Sequence, residues 1–198
     1  NLKQLSELYC HNNKLTSLQV ETNTALTQLY CANNSISALN VSKNTELHVL
    51  ICHQNKLNTI DVSNNAALTQ LSCGENKIEN IDVSHNRVLK TLGCNNNMLN
   101  KIDVSNNPEL ETLFVYENEL TALDISHNSA LQRLSMGNNK ISELNLNANP
   151  RITQLKCKQN QLTNLDLSNL EKLSILDCSN NQLNSLDLTK NSALSSLR

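Results

Sequence analysis

The sequence predicts a solenoid of stacked coils, mainly parallel β, with little or no α-helix. Three observations carry this reading. Seven cysteines, at Cys10, Cys31, Cys52, Cys73, Cys94, Cys157 and Cys178, are separated only by multiples of 21. Counted from Leu5, the chain divides without insertion or deletion into units that start at Leu5, Leu26, Leu47, Leu68, Leu89, Leu110, Leu131, Ile152 and Leu173, with a partial tenth at Leu194. Each unit also carries a short apolar motif twice. A fixed period of this kind marks one coil per repeat, each burying its apolar side against its neighbours. The register runs through residues 1–198, which argues for one elongated body rather than a globular domain.

Within a unit, the first element is a short strand. In Leu68–Val88 the apolar residues are Leu68, Leu71, Cys73, Ile78, Ile81 and Val83. The pairs Leu71/Cys73 and Ile81/Val83 alternate in and out, which is the strand period. Helical spacing never extends far enough to support a helix. The second half of the unit reads as another short extended segment or a 3₁₀ turn, so two parallel sheets are expected. With rungs about 4.8 Å apart, the stack is a rod on the order of 45 Å long.

The turns come next. Asn stands at the ninth position of every unit: Asn13, Asn34, Asn55, Asn76, Asn97, Asn118, Asn139, Asn160 and Asn181. A second column, Asn23, Asn44, Asn65, Asn86, Asn107, Asn128, Asn149 and Asn191, is broken once by Leu170. An inward Asn offers donors and an acceptor to backbone groups that a turn leaves without sheet partners.

The cysteine column reads as filling. Stacked Cβ atoms run parallel and stay about as far apart as the rungs, beyond the preferred Cβ separation of a disulfide. A zinc site needs ligands converging on a point, not a line. Val115 and Met136 occupy the same column, so the position asks for a compact apolar group. A further column holds Asp61, Asp82, Asp103, Asp124, Asp166 and Asp187, with Gln19, Asn40 and Asn145 on the other rungs. One carboxylate per coil falls short of the oxygens calcium takes. Capping of nearby hydroxyls and turn N–H groups is the simpler role. No metal and no cofactor is expected.

The pattern L-x-x-L-x-[L/C]-x-x-N-x-L resembles the leucine-rich repeat signature along the whole chain. The 21-residue length, the Leu-to-Cys exchange and the Leu-Asp-Val-Ser-x-Asn second half resemble bacterial surface repeats of the internalin type with a cysteine ladder. The resemblance implies a secreted or wall-attached ligand-binding protein, often an adhesin, and a ligand face built from the first-half strand. The two ends read as mid-unit, which suggests a piece of a longer protein. Ends without polar caps suggest weak end-to-end association.

On that strand, positions three, five and seven of each unit point away from the core. Positions five and seven hold all four aromatics and all three glycines of the chain. Tyr9, His11, Tyr30, Ile51 and His53, with Val49 at position three, are expected to form one patch. Phe114 and Tyr116 form a second, Ser72, Gly74 and Gly93 a low saddle between them, and Lys156 and Lys158 a basic end. Exposed aromatic and aliphatic groups gathered on one face are what protein or glycan ligands use.

Other functions find little in the sequence. Net charge is −2 with the signs interspersed, which is no nucleic-acid or anionic-membrane footprint. No apolar run is long enough to span a bilayer. No nucleophile pairs with a histidine and no Gly-rich phosphate loop occurs, so an enzyme is not expected. The resemblance places the chain outside the cell or on its surface. Two other readings stay open: an intracellular scaffold or effector module, where unpaired cysteines are equally at home, and a structural spacer.

Overall fold

A computed structural model describes residues 2–198. Ten short strands pair in parallel into one continuous sheet: β1 (Glu7–Tyr9), β3 (Gln28–Tyr30), β5 (Val49–Ile51), β6 (Gln70–Ser72), β7 (Thr91–Gly93), β8 (Thr112–Phe114), β9 (Arg133–Ser135), β10 (Gln154–Lys156), β11 (Ile175–Asp177) and β12 (Ser196–Leu197). Every pairing joins residues 21 apart, as in Leu50↔Leu71 and Leu71↔Leu92. The period of the sequence is therefore the register of the sheet.

The expected second sheet is confined to two rungs, β2 (Leu18–Gln19) and β4 (Leu39–Asn40). From the third rung on, the second-half segments form neither a strand ladder nor a 3₁₀ turn. Their inter-coil links are made elsewhere. The N–H of Lys56 reaches the carbonyl of Ile36 at 2.9 Å, and Lys77 reaches Leu57 at 2.8 Å. The carbonyl of Val62 is already taken by the N–H of Asn65 and by the side chain of Asn86. The Val20 carbonyl is taken in the same way on the first rung, where the ladder does form, so this occupancy does not separate the rungs.

The core is the stack of positions one, four, six, eleven, fourteen and sixteen. Leu68, Leu71, Cys73, Ile78 and Val83 have no exposed surface, and their equivalents repeat on each rung. Fully burying an aliphatic side chain contributes about 1.5–3 kcal/mol, so each interior rung supplies its own driving force but only when flanked by neighbours.

The two asparagine columns differ. Asn76 uses both ends of its amide. Its Nδ2 donates to the carbonyls of Cys52, Cys73 and Gly74 at 3.2, 3.0 and 3.1 Å, and its Oδ1 accepts the N–H of Leu57 at 2.9 Å. Asn86 of the second column donates to Val62 and Asn65 carbonyls at 3.1 and 2.8 Å, while its buried Oδ1 finds no partner. The acceptor role expected of this second column is thus unfilled. Where Leu170 breaks the column, the backbone turn survives through Leu170 N–H to Leu167 carbonyl at 3.0 Å.

The position before each first-column Asn has left-handed backbone on all nine rungs, with φ between 50° and 57°. Asn occupies it five times, at Asn12, Asn33, Asn96, Asn138 and Asn180, and Gln or Glu at Gln54, Glu75, Glu117 and Gln159. Asn tolerates this region better than other non-glycine residues.

All seven thiols are free. Cys31, Cys52, Cys73, Cys94 and Cys157 are buried, whereas Cys10 and Cys178 are half-exposed on the outer rungs. Burial pushes the Cys73 thiol up to about 12. Cys31 and Cys157 rise to the same region, burial again being the largest cause. Thiols held this far from ionisation are packing groups, not nucleophiles.

Candidate ligand-binding face

The aromatic columns of the sequence become neighbours because the strands pair in register. Tyr9, Tyr30 and Ile51 lie side by side across β1, β3 and β5. The Tyr9 and Tyr30 rings stack with centroids 4.6 Å apart and planes 11° from parallel. Each hydroxyl donates to the side chain two residues back, Tyr9 to Glu7 and Tyr30 to Gln28, both at 3.2 Å. The hydroxyls are thus tied along the strand direction and the ring faces pack on one another. His11, Tyr30, Ala32, Ile51 and His53 surround a shallow depression of about 220 Å³. His53 Nδ1 lies 3.3 Å from the Ser72 hydroxyl, so one hydroxyl on this face does pair with a histidine, contrary to the expectation from sequence. Val49 sits beside this depression at position three, between Gln28 and Gln70.

Exposure is graded rather than full. Tyr9 is 55% exposed, but Tyr30, Ile51, Phe114 and Tyr116 are half-buried. The regular strands end at position five. Position seven lies just beyond them, yet its carbonyl still accepts an inter-coil bond, as from Asn33 N–H to His53 at 3.0 Å. Two of its residues are glycines for a steric reason. A Cβ on Gly74 would come within 2.9 Å of the Asn95 carbonyl oxygen, and one on Gly137 within 3.1 Å of that of Lys158. Gly93 meets nothing closer than 3.7 Å. At the expected saddle of Ser72, Gly74 and Gly93, the Asn95 side chain lies against Gly74 and takes up the space there.

The second patch and the basic end turn out to share one depression. Phe114 and Tyr116 stand on the sixth coil and Lys156 and Lys158 on the eighth, with Ser135 and Gly137 between them. A trough of about 520 Å³ runs from Tyr116 past Ser135, Gly137, Lys156 and Lys158 to Asp177 and Arg198. A smaller hollow of about 250 Å³ continues it along Phe114, Arg133 and Gln154. Arg133 is held by its Nε, which donates to the Thr112 hydroxyl at 3.1 Å; that contact also explains why Thr112 is buried at an outward position. Burial raises the Tyr116 phenol, with Glu117 and Glu75 adding to it, so the hydroxyl remains a donor at neutral pH. Ser135, Gly137, Arg133 and Asp177 were not singled out by sequence reasoning. The signal that finds them is the 42-residue spacing of two walls with small residues midway.

The aspartate column faces solvent away from this sheet. Asp61, Asp82, Asp103, Asp124, Asp166 and Asp187 each accept the N–H of the residue two ahead at 2.9 Å. Hydrogen bonds from Ser63 hold the Asp61 carboxyl below its ordinary range, and those from Ser84 do the same for Asp82. These carboxylates are turn caps. Among the described residues no helix is long and apolar enough to cross a membrane.

Comparison with known proteins agrees with this architecture. The functional domain of InlJ from Listeria monocytogenes, which includes a cysteine ladder, superposes with a TM-score of 0.98 at 42% identity over 99% of this chain. The chain belongs to the leucine-rich repeat family, in its 21-residue, cysteine-ladder form. It covers 44% of the InlJ domain, less than half of that relative. A leucine-rich repeat protein of Leptospira interrogans matches over 98% of the chain and 61% of its own length, at 20% identity and a TM-score of 0.83. The ectodomain of the Arabidopsis thaliana receptor kinase GASSHO1/SCHENGEN3, in complex with Casparian strip integrity factor 2, matches 90% of the chain and 24% of its own length, at 25% identity and a TM-score of 0.81. No family model and no curated protein sequence matches the chain.

Proposed function

We propose that this leucine-rich repeat solenoid is a non-enzymatic binding module of a bacterial surface or secreted protein, adhesin-like, whose ligand lies on the ten-stranded face. The observation that carries the reading is the placement of all four aromatic residues and the Lys156/Lys158 pair on that one face, with Tyr30, Phe114, Tyr116 and both lysines lining shallow depressions. A binding surface concentrates aromatic and cationic groups in this way, whereas a spacer has no use for them. A protein ligand is the more natural partner, because an open sheet face offers broad contact area rather than an enclosed pocket. The complex of the plant receptor ectodomain with Casparian strip integrity factor 2 is an instance of ligand binding on a similar fold.

The test compares Tyr30→Ala and Phe114→Ala with the parent chain in binding to host-cell surfaces and to a protein array. Loss of a hot-spot aromatic costs about 2 kcal/mol or more of affinity. The Tm of each variant must stay near that of the parent, with a modest drop because both rings are half-buried. Normal binding by both variants would favour the spacer reading. Retention of binding partners found only inside cells would favour the intracellular scaffold.

A further inference from the structure

We propose that the trough between Tyr116 and the Lys156/Lys158 pair receives an acidic, extended segment of a protein partner, with an apolar side chain seated on the Phe114/Tyr116 wall. This rests on the binding-face reading and names the chemistry of one part of that face. Among the described residues the one ion pair is Lys140 with Glu119, at 3.3 Å. Lys156 and Lys158 therefore have no carboxylate within 4.0 Å, although Asp177 lines the same trough. The Asp177 carboxylate is turned to its own loop, accepting from the Ser179 hydroxyl at 2.7 Å and the Ser179 N–H at 3.3 Å. Glu117 borders the opposite wall and makes no ion pair with either lysine. The trough thus presents two cations that are not ion-paired with either carboxylate lining it.

Geometry adds to this. Lys156 ends β10 and Lys158 lies two residues on, just past the strand, and both line the trough. A Cβ on Gly137 would lie 3.0 Å from Lys158 Cγ and 3.7 Å from its Cε. The Lys158 stem therefore lies back over Gly137, toward the aromatic wall, while the residue as a whole stays exposed. A side chain at 137 would crowd that course. Ser135 keeps the rest of the floor low. From the sixth coil to the tenth the trough spans four rung spacings, about 19 Å, which is the length of five or six extended residues. An occupant with acidic groups against the lysines and an apolar group against Phe114 and Tyr116 satisfies both walls at once. A saccharide acid fits less well, because reading ring hydroxyls calls for several fixed polar groups, and the Ser179 hydroxyl is already donated to Asp177.

The experiment is selection of a random-peptide display library on the chain, followed by anisotropy titration of enriched labelled peptides against the parent, Lys156→Glu/Lys158→Glu and Tyr30→Ala. Enriched peptides should carry Asp or Glu within a few residues of an aromatic or aliphatic residue. Their affinity should fall by about tenfold or more on charge reversal, and should weaken with added salt. Tyr30→Ala, at the far patch, should bind them as the parent does, and an unchanged Tm should show that the reversed variant is folded. Tetragalacturonate serves as the carboxylated-glycan probe. The proposal is overturned if no peptide is enriched, if enriched peptides lack acidic residues, if charge reversal leaves them bound, or if tetragalacturonate alone uses the lysines. Peptides lost with Tyr30→Ala but kept on charge reversal would sink this assignment and leave the broader binding-face reading standing.

Discussion

Asn76 and Asn86 are chemically identical and both inward-facing, yet removing their amides should have unequal consequences. Asn76→Ala takes away three donated bonds and one accepted bond. The three carbonyls keep other donors: Asn55 still serves Cys52, Asn97 still serves Cys73, and the Gln54 N–H still serves Gly74. The Leu57 N–H does not, because Asn76 Oδ1 is its sole acceptor and Leu57 is fully buried. An orphaned buried N–H costs about 1–3 kcal/mol, and the thinned carbonyl contacts add on the order of 1 kcal/mol. The total is about 3 kcal/mol. Asn86→Ala strands no group. The Val62 and Asn65 carbonyls retain the Asn65 and Leu68 N–H groups at 3.0 Å each, and an already unpartnered Oδ1 is removed. About 1 kcal/mol is expected there. The assay is urea unfolding of both variants, taking the shift in midpoint at constant slope, with amide exchange at Leu57 as the local readout. Leu57 should lose protection in Asn76→Ala and keep it in Asn86→Ala. Equal midpoint shifts, or a protected Leu57 in the first variant, would refute this accounting of the two columns.

The thiols make a second prediction. A thiol reagent should leave Cys31, Cys52, Cys73, Cys94 and Cys157 untouched in the native protein, react slowly at Cys10 and Cys178, and modify all seven after denaturation; a native disulfide detected by mass would refute it. Cys73→Ser should cost about 1–3 kcal/mol by burying a poorly partnered hydroxyl, while Cys73→Val should cost under about 1.5 kcal/mol. Because the folded Cys73 thiol titrates near 12 and an ordinary one near 9.0, the unfolded chain loses its proton first. Stability is then fully present below pH 9 and declines as pH rises from 9 toward 12, a slope that Cys73→Val should reduce. At Gln159, with φ of 52°, substitution by Gly should relieve about 1–2 kcal/mol of left-handed strain against about 0.5–1 kcal/mol of added chain entropy. A small rise in Tm is expected, and a fall would show that the Gln side chain contributes more than its backbone costs.

Much of the fold was legible because its information is local and repeated. Leu71 and Cys73 reveal strand alternation in any single unit, and the 21-residue period then fixes the register, since one slipped residue would turn every Leu outward. The absence of a full second sheet was not legible. Ile81 and Val83 carry the same alternation as Leu71 and Cys73, yet no ladder forms along them. The left-handed position was equally hidden. Gln54, Glu75, Glu117 and Gln159 carry no turn signal of their own, and the strain they accept is imposed by the inter-coil bonds on either side, such as Gln54 N–H to Gly74 at 3.0 Å.

The face itself was legible as columns but not as depressions. Tyr9, Tyr30 and Ile51 stand on successive coils, so a reading by position already groups them. Phe114 and Lys156 stand 42 residues apart, and position alone separates them into an aromatic patch and a basic end. What joins them is the size of the coil between. Large side chains at 135 and 137 would have made a continuous ridge, whereas Ser135 and Gly137 make a floor. The same reasoning applies to Ser72, Gly74 and Gly93, where the outcome differs because Asn95 folds against Gly74 with Oδ1 2.7 Å from where a Cβ would be. A small residue therefore opens a trough only when the side chain of the next coil carries its functional end past it. Lys158 is long enough to lie over Gly137 and still present its ammonium. Asn95 is too short, so its amide fills the space it was given.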